Sequence, residues 1–134
     1  MTVTAPTLGS SGILPSLVTY YHKDLGYEKE IICKGLKVAG LFGNLIKENA
    51  TISGAQGGCQ AEIGAAVSMG AAMVAYLRGL NAAQIEYAAE IGIEHHLGLT
   101  CDPVGGYVMI PCIERNAVGV LRAIDAAIIA SRGK

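Results

Sequence analysis

From Ile63 to Leu77 the chain runs without a single charge, bracketed by Glu62 and Arg78. Within that run Gly64, Ser68 and Ala71 or Ala72 recur at helical spacing, which predicts a helix over about residues 59 to 78 with a stripe of small residues. Such a stripe lets a neighbouring backbone approach closely and implies deep burial. The run is too short for a bilayer span, so its burial must come from protein. Apolar residues make up 51% of the sequence, with no Trp and only Phe42 and six Tyr. An excess of small apolar residues favours closely packed helices over an aromatic-rich sandwich. The expected fold is therefore all-α: one domain over residues 1–134, about five helices, with glycine-rich loops carrying the site.

The remaining elements follow from pattern and punctuation. A polar glycine loop, Thr4 to Gly12, leads into a helix over about 13 to 23, with Pro15 in its first turn and Gly26 beyond its end. A second helix, about 28 to 48, carries Ile31, Ile32, Val38, Leu41, Phe42, Leu45 and Ile46 with Lys and Glu opposite. Asn49 to Gly58 is another glycine-rich loop. Asn81 is the expected N-cap of a fourth helix, about 82 to 96, ended by Gly98. The loop 97 to 112 holds two prolines, Gly105-Gly106 and a short extended stretch Tyr107 to Ile110. A fifth helix, about 113 to 131, presents Ile113, Val118, Leu121, Ile124, Ala127 and Ile128 on one face.

Charge narrows the function. The formal net charge is −1, with no basic tract, which removes the electrostatic footprint of nucleic-acid binding. Met1 to Pro6 lacks the basic start and apolar run of a signal peptide. A reducing, cytoplasmic setting is expected, where four cysteines point to metal or redox chemistry before disulfides.

Three of the cysteines stand where a glycine- or proline-rich loop meets a helix or turn: Gly57-Gly58-Cys59-Gln60-Ala61-Glu62, Thr100-Cys101-Asp102-Pro103-Val104-Gly105-Gly106 and Pro111-Cys112-Ile113-Glu114-Arg115-Asn116. Backbone N–H groups and helix N-terminal charge at such junctions are expected to lower the thiol pKa and to favour an anionic ligand set. Three ligands and not four suggest a metal centre with one position open, the mark of a catalytic site. Read singly, each is first a small buried hydrophobe, and the intervals match no simple zinc clip that would overturn this. Cys33, mid-helix among apolar neighbours, reads as a buried core residue, with a fourth ligand as the alternative.

These motifs, together with Glu94-His95-His96-Leu97-Gly98 before Cys101 and the opening Thr4-Ala5-Pro6-Thr7-Leu8-Gly9-Ser10-Ser11-Gly12-Ile13-Leu14-Pro15, resemble the catalytic (alpha) domain of the iron–sulfur-dependent bacterial L-serine dehydratases. The resemblance covers essentially the whole chain; a weaker one runs to L-cysteine desulfidase-like lyases. It implies a [4Fe-4S] cluster on Cys59, Cys101 and Cys112 with one iron open to L-serine, elimination of water, and release of pyruvate and ammonia without pyridoxal phosphate. It also implies that the domain continues upstream of this chain and works with a beta or regulatory domain or subunit, in a homo- or hetero-oligomer. A half-domain needing a partner chain, without turnover of its own, is the alternative.

Other polar groups have two readings each. His95 and His96 near a helix C-terminus suit a charge–dipole contact or a catalytic role, and His95 belongs to the matched motif. His22 reads as solvated surface. Thr7, Ser10, Ser11 and Gly12 form a substrate-carboxylate nest or an ordinary helix cap, and Ser53 with Gly54 resembles them. Glu114 and Arg115 form a first-turn pair or salt bridge, and Asn116 is placed to reach the cluster edge.

Overall fold

The computed structural model describes residues 4–101, 105–107 and 110–133. Its elements are α1 (Ile13–Thr19), prolonged by a π-helical turn over Tyr20–Asp24, α2 (Lys29–Asn49), α3 (Gly54–Leu77), α4 (Ala82–Glu94) and α5 (Ile110–Arg132). The all-α expectation holds. Helix α3 is the axis of the domain, with α2, α4 and α5 packed around it and α1 lying across α3 and α5. Every residue from Ile63 to Ala75 is buried, as a helix apolar on all sides requires.

The partners of α3 meet it through small residues. A Cβ on Gly92 of α4 would stand 3.1 Å from Ser68 Cα and Val67 O, so the two backbones are nearly in contact, and Ser68 Oγ donates to Ala89 O at 2.9 Å. On α2 the buried stripe is Ile32, Gly35, Ala39 and Gly43, with Gly35 and Gly43 receiving Met73 and Met69. On α5 it is Gly119, Ala123, Ala126, Ala127 and Ala130.

This arrangement corrects the expected faces. Ile31, Leu41 and Leu45 of α2 and Ile113, Val118 and Leu121 of α5 are exposed, Leu121 at 69%. Periodicity selects the bulkiest apolar residues, whereas close backbone approach to α3 selects the smallest. Cys33 is likewise exposed and no core residue: it follows Ile32 by one step, about 100° round the helix and off the buried stripe. His22 is half-buried, its Nδ1 2.7 Å from Tyr27 O.

Boundaries shift by a few residues. Helix α3 starts at Gly54 but is interrupted at Gly58 (φ 69°, ψ −166°), a left-handed-side conformation open to glycine, so its continuous body begins at Cys59. Asn81 caps α4 with a full capping box shared with Gln84. Ile110 opens α5 and is not extended; Val108 and Met109 of that stretch lie outside the described residues.

His96 is buried at 5% exposure, with Nδ1 2.7 Å from Gly92 O. A carbonyl only accepts, so Nδ1 carries the hydrogen. Burial holds this histidine below its ordinary value. The unfolded chain then binds the proton more readily, so stability rises with pH and is lost as pH falls below the ordinary histidine range. The urea midpoint is expected to drop between about pH 7 and about pH 5, more steeply than in His96→Asn. Equal slopes would remove His96 from this role.

Candidate active site

Cys59 sits in the first turn of the unbroken part of α3, and Cys112 in the first turn of α5, where Pro111 costs no helical hydrogen bond. Their sulfurs are 3.5 Å apart. Together with Cys101 they line a cavity of about 380 Å³, whose other walls are Gly54, Ala55 and Glu62. The three loop-borne cysteines thus share one cavity, and Cys33 is not among the residues lining it.

The stretch leading to Cys101 is fastened by α3 and α5. Gly98 N donates to Gln60 Oε1 at 3.0 Å, and Arg115 Nη1 donates to Thr100 O at 2.7 Å. Arg115 therefore anchors a loop carbonyl, one helix turn from Cys112. Asp102, Pro103 and Val104 lie outside the described residues.

The opening glycine loop is clamped from α3 and α5. Glu62 Oε1 accepts from the Thr7 hydroxyl and from Gly9 N, the latter at 3.0 Å. Asn116 Oδ1 accepts from Gly12 N at 3.0 Å, and its Nδ2 donates to Gly9 O and Cys112 O at 2.7 Å each. Asn116 thus ties loop, helix and cysteine together. Asn116→Ala is expected to cost about 2 kcal/mol, since it removes three part-buried hydrogen bonds at once. Chemical denaturation measures that loss, and an unchanged midpoint would mean the loop is held otherwise.

The remaining expected substrate residues fall into two groups. Ser11, Gly12 and Asn116 line a second cavity of about 410 Å³ that shares Cys112 with the first. Thr7 and Ser10 belong to the scaffold of the loop: Ser10 is fully buried, with Oγ 3.1 Å from Thr7 Oγ1. Ser53 occupies the N-cap position of α3 next to Gly54, and its side chain makes no cap bond. His95 is exposed at the C-cap of α4, Nδ1 2.8 Å from Ile91 O, and lines neither cavity.

The expected lowering of thiol pKa is reversed at Cys112. Burial pushes it up to about 11, helped by the Cys59 thiol and by the charges of Glu62 and Cys101. Desolvation and like charge outweigh the helix N-terminus here. Among the described residues no three His, Cys, Asp or Glu side chains close on a point as ligands of one metal ion.

Glu62, Gln60 and Arg115 stand within the cysteine motifs but carry no expected site role. Their signal was available: each is a long polar side chain within three residues of a cysteine, and Glu62 opens an otherwise uncharged helix.

The chain is 52% identical over 132 residues to the L-serine dehydratase of Streptomyces coelicolor, covering 98% of this chain and 29% of that protein. It is 53% identical over 131 residues to that of Haemophilus influenzae and 52% identical over 131 residues to L-serine dehydratase 1 of Escherichia coli, each alignment covering 97% of this chain and 29% of the relative. The chain spans 29% of the length of these relatives. The match to the serine dehydratase alpha chain family runs over residues 1–134, and the chain belongs to that family.

Proposed function

We propose that this chain is the cluster-bearing part of an L-serine dehydratase, a lyase converting L-serine to pyruvate and ammonia in the cytoplasm. The observation that carries the proposal is the convergence of Cys59, Cys101 and Cys112 on one cavity, in a chain of the serine dehydratase alpha family. A [4Fe-4S] cluster takes one thiolate per iron, so three thiolates would hold it with one iron open. The Cys59 and Cys112 sulfurs, 3.5 Å apart, would have to turn away from each other to bind separate irons. When bound, such a cluster supplies a Lewis acid for the serine hydroxyl, a poor leaving group.

The chain's own residues do the rest. Glu62 and Asn116 hold the glycine loop beside the cysteines, and Ser11, Gly12 and Asn116 line the adjoining cavity suited to the substrate carboxylate, with Thr7 and Ser10 inside the loop behind that wall and Ser53 next to Gly54 of the cysteine cavity. His95 is proposed as the proton-carrying group; its exposure at the C-cap of α4 requires that it work toward a surface completed by another part of the enzyme. After loss of the α-proton and of water, aminoacrylate tautomerises and hydrolyses to pyruvate, an entry to gluconeogenesis.

A second observation favours a partner. Ile113, Val118 and Leu121 on α5 and Ile31, Leu41 and Leu45 on α2 are exposed, a surface suited to the remainder of the catalytic domain or to a beta domain. Among the described residues no helix is long and apolar enough to cross a membrane. Anaerobic reconstitution with iron and sulfide should give a brown protein that bleaches in air and changes spectrum with L-serine. With the rest of the enzyme supplied in trans, pyruvate should form. A colourless protein that takes up zinc instead would overturn the proposal.

A further inference from the structure

Glu62 does more than the loop requires. Its carboxylate lies between Gly9 and Gly54: a Cβ on Gly9 would stand 2.6 Å from either oxygen, and one on Gly54 2.5 Å from Oε2. Oε1 is the oxygen that accepts from Thr7 and Gly9. Oε2 is directed to the Gly54 side, and both Glu62 and Gly54 line the cysteine cavity. Among the described residues no Lys, Arg or His pairs with Glu62; the ion pair found there is Arg122–Asp125. A half-buried carboxylate on the wall of a cavity favours a cationic partner, and an ammonium group donates hydrogen bonds that a carboxylate accepts strongly.

We infer that Glu62 Oε2 receives the α-ammonium group of the amino-acid substrate, while Oε1 keeps the glycine loop in register. The cysteine cavity of about 380 Å³ meets the second, of about 410 Å³, at Cys112, so the ammonium and carboxylate ends of a three-carbon amino acid are received from the two. Placing the ammonium here selects amino acids over hydroxy acids of the same length. The inference rests on the dehydratase reading and adds to it the residue that recognises the amine.

The test uses the complete, cluster-loaded enzyme and two ligands, L-serine and 3-hydroxypropionate, which keeps the hydroxyl and carboxylate of serine but lacks the amino group. Dissociation constants come from anaerobic calorimetry. Wild type is expected to bind L-serine at least about tenfold more tightly, the scale of one charge-assisted hydrogen bond. Glu62→Gln retains an acceptor for Thr7 and Gly9 but loses the charge. It should weaken L-serine about 10- to 100-fold and leave 3-hydroxypropionate within about twofold, with the cluster spectrum and thermal midpoint unchanged. The rise should fall on KM more than on kcat. Equal affinity of wild type for the two ligands overturns the inference without any variant, even if Glu62→Gln does not fold. Equal weakening of both ligands in Glu62→Gln, or of neither, reduces Glu62 to a loop clamp. Pyruvate formation in those cases leaves the dehydratase reading standing, whereas a loaded wild type that neither binds nor turns over L-serine removes both.

Discussion

Cys112→Ser is expected to lose iron and to lower kcat/KM for L-serine by about three orders of magnitude, or about 4 kcal/mol of transition-state stabilisation. Cys112 shares its cavity with Cys59 and Cys101, and its sulfur is 3.5 Å from that of Cys59. A serine hydroxyl is a hard, scarcely ionised donor where a soft thiolate is needed. Cys112 is also a costly thiol to ionise, pushed up to about 11 by burial, by Cys59 and by nearby negative charge. Iron held there would offset that cost, since a coordinating thiol is deprotonated by the metal's own charge. Iron content, visible absorption and pyruvate formation should fall together in the Cys59, Cys101 and Cys112 variants. Cys33→Ser should change none of them, because Cys33 is exposed on α2 and is not part of the cavity wall. Loss of iron in Cys33→Ser would make it the fourth ligand and close the site.

Gly92→Val is expected to lower stability by about 3 kcal/mol or more, against a typical total of about 5–15 kcal/mol. The atoms its side chain would meet are Ser68 Cα, Val67 O and Ser68 N, at 3.1–3.2 Å from a Cβ alone. All are backbone of the buried helix α3, so relief requires α4 to move away bodily and to disturb the Ser68 Oγ bond to Ala89 O. Valine is only slightly better than glycine in a helix, so propensity does not compensate. Gly40→Ala should go the other way, gaining up to about 1 kcal/mol, because nothing lies within 4 Å of a Cβ there. Thermal and urea unfolding of the two variants measure the difference. A tolerated Gly92→Val would mean that α3 and α4 are not held at backbone contact.

The element order was legible in the sequence because helix signals are local. Asn81 with Gln84, the break at Gly58 and the uncharged run after Glu62 act within a turn or two of themselves. The cysteine motifs were legible for the same reason, each being a thiol beside a glycine- or proline-rich stretch. Which side of α2 and α5 faces inward was not. That depends on α3 being so lined with alanine and glycine that small residues on its partners pack closer than Leu or Ile could. The thiol pKa was misread because the helix terminus is visible in sequence, whereas the burial and the Cys59 sulfur that outweigh it are brought together by folding.

The sequence by itself determined the helical class and the buried central helix, since these rest on residue type and on spacing along one chain. Only the tertiary structure decided that Cys59, Cys101 and Cys112 share a cavity, that Glu62 and Asn116 reach across more than fifty residues to clamp the opening loop, and that Gly92 is needed where Gly40 is not. Those are distances between atoms remote in the chain, fixed by how closely the helices pack.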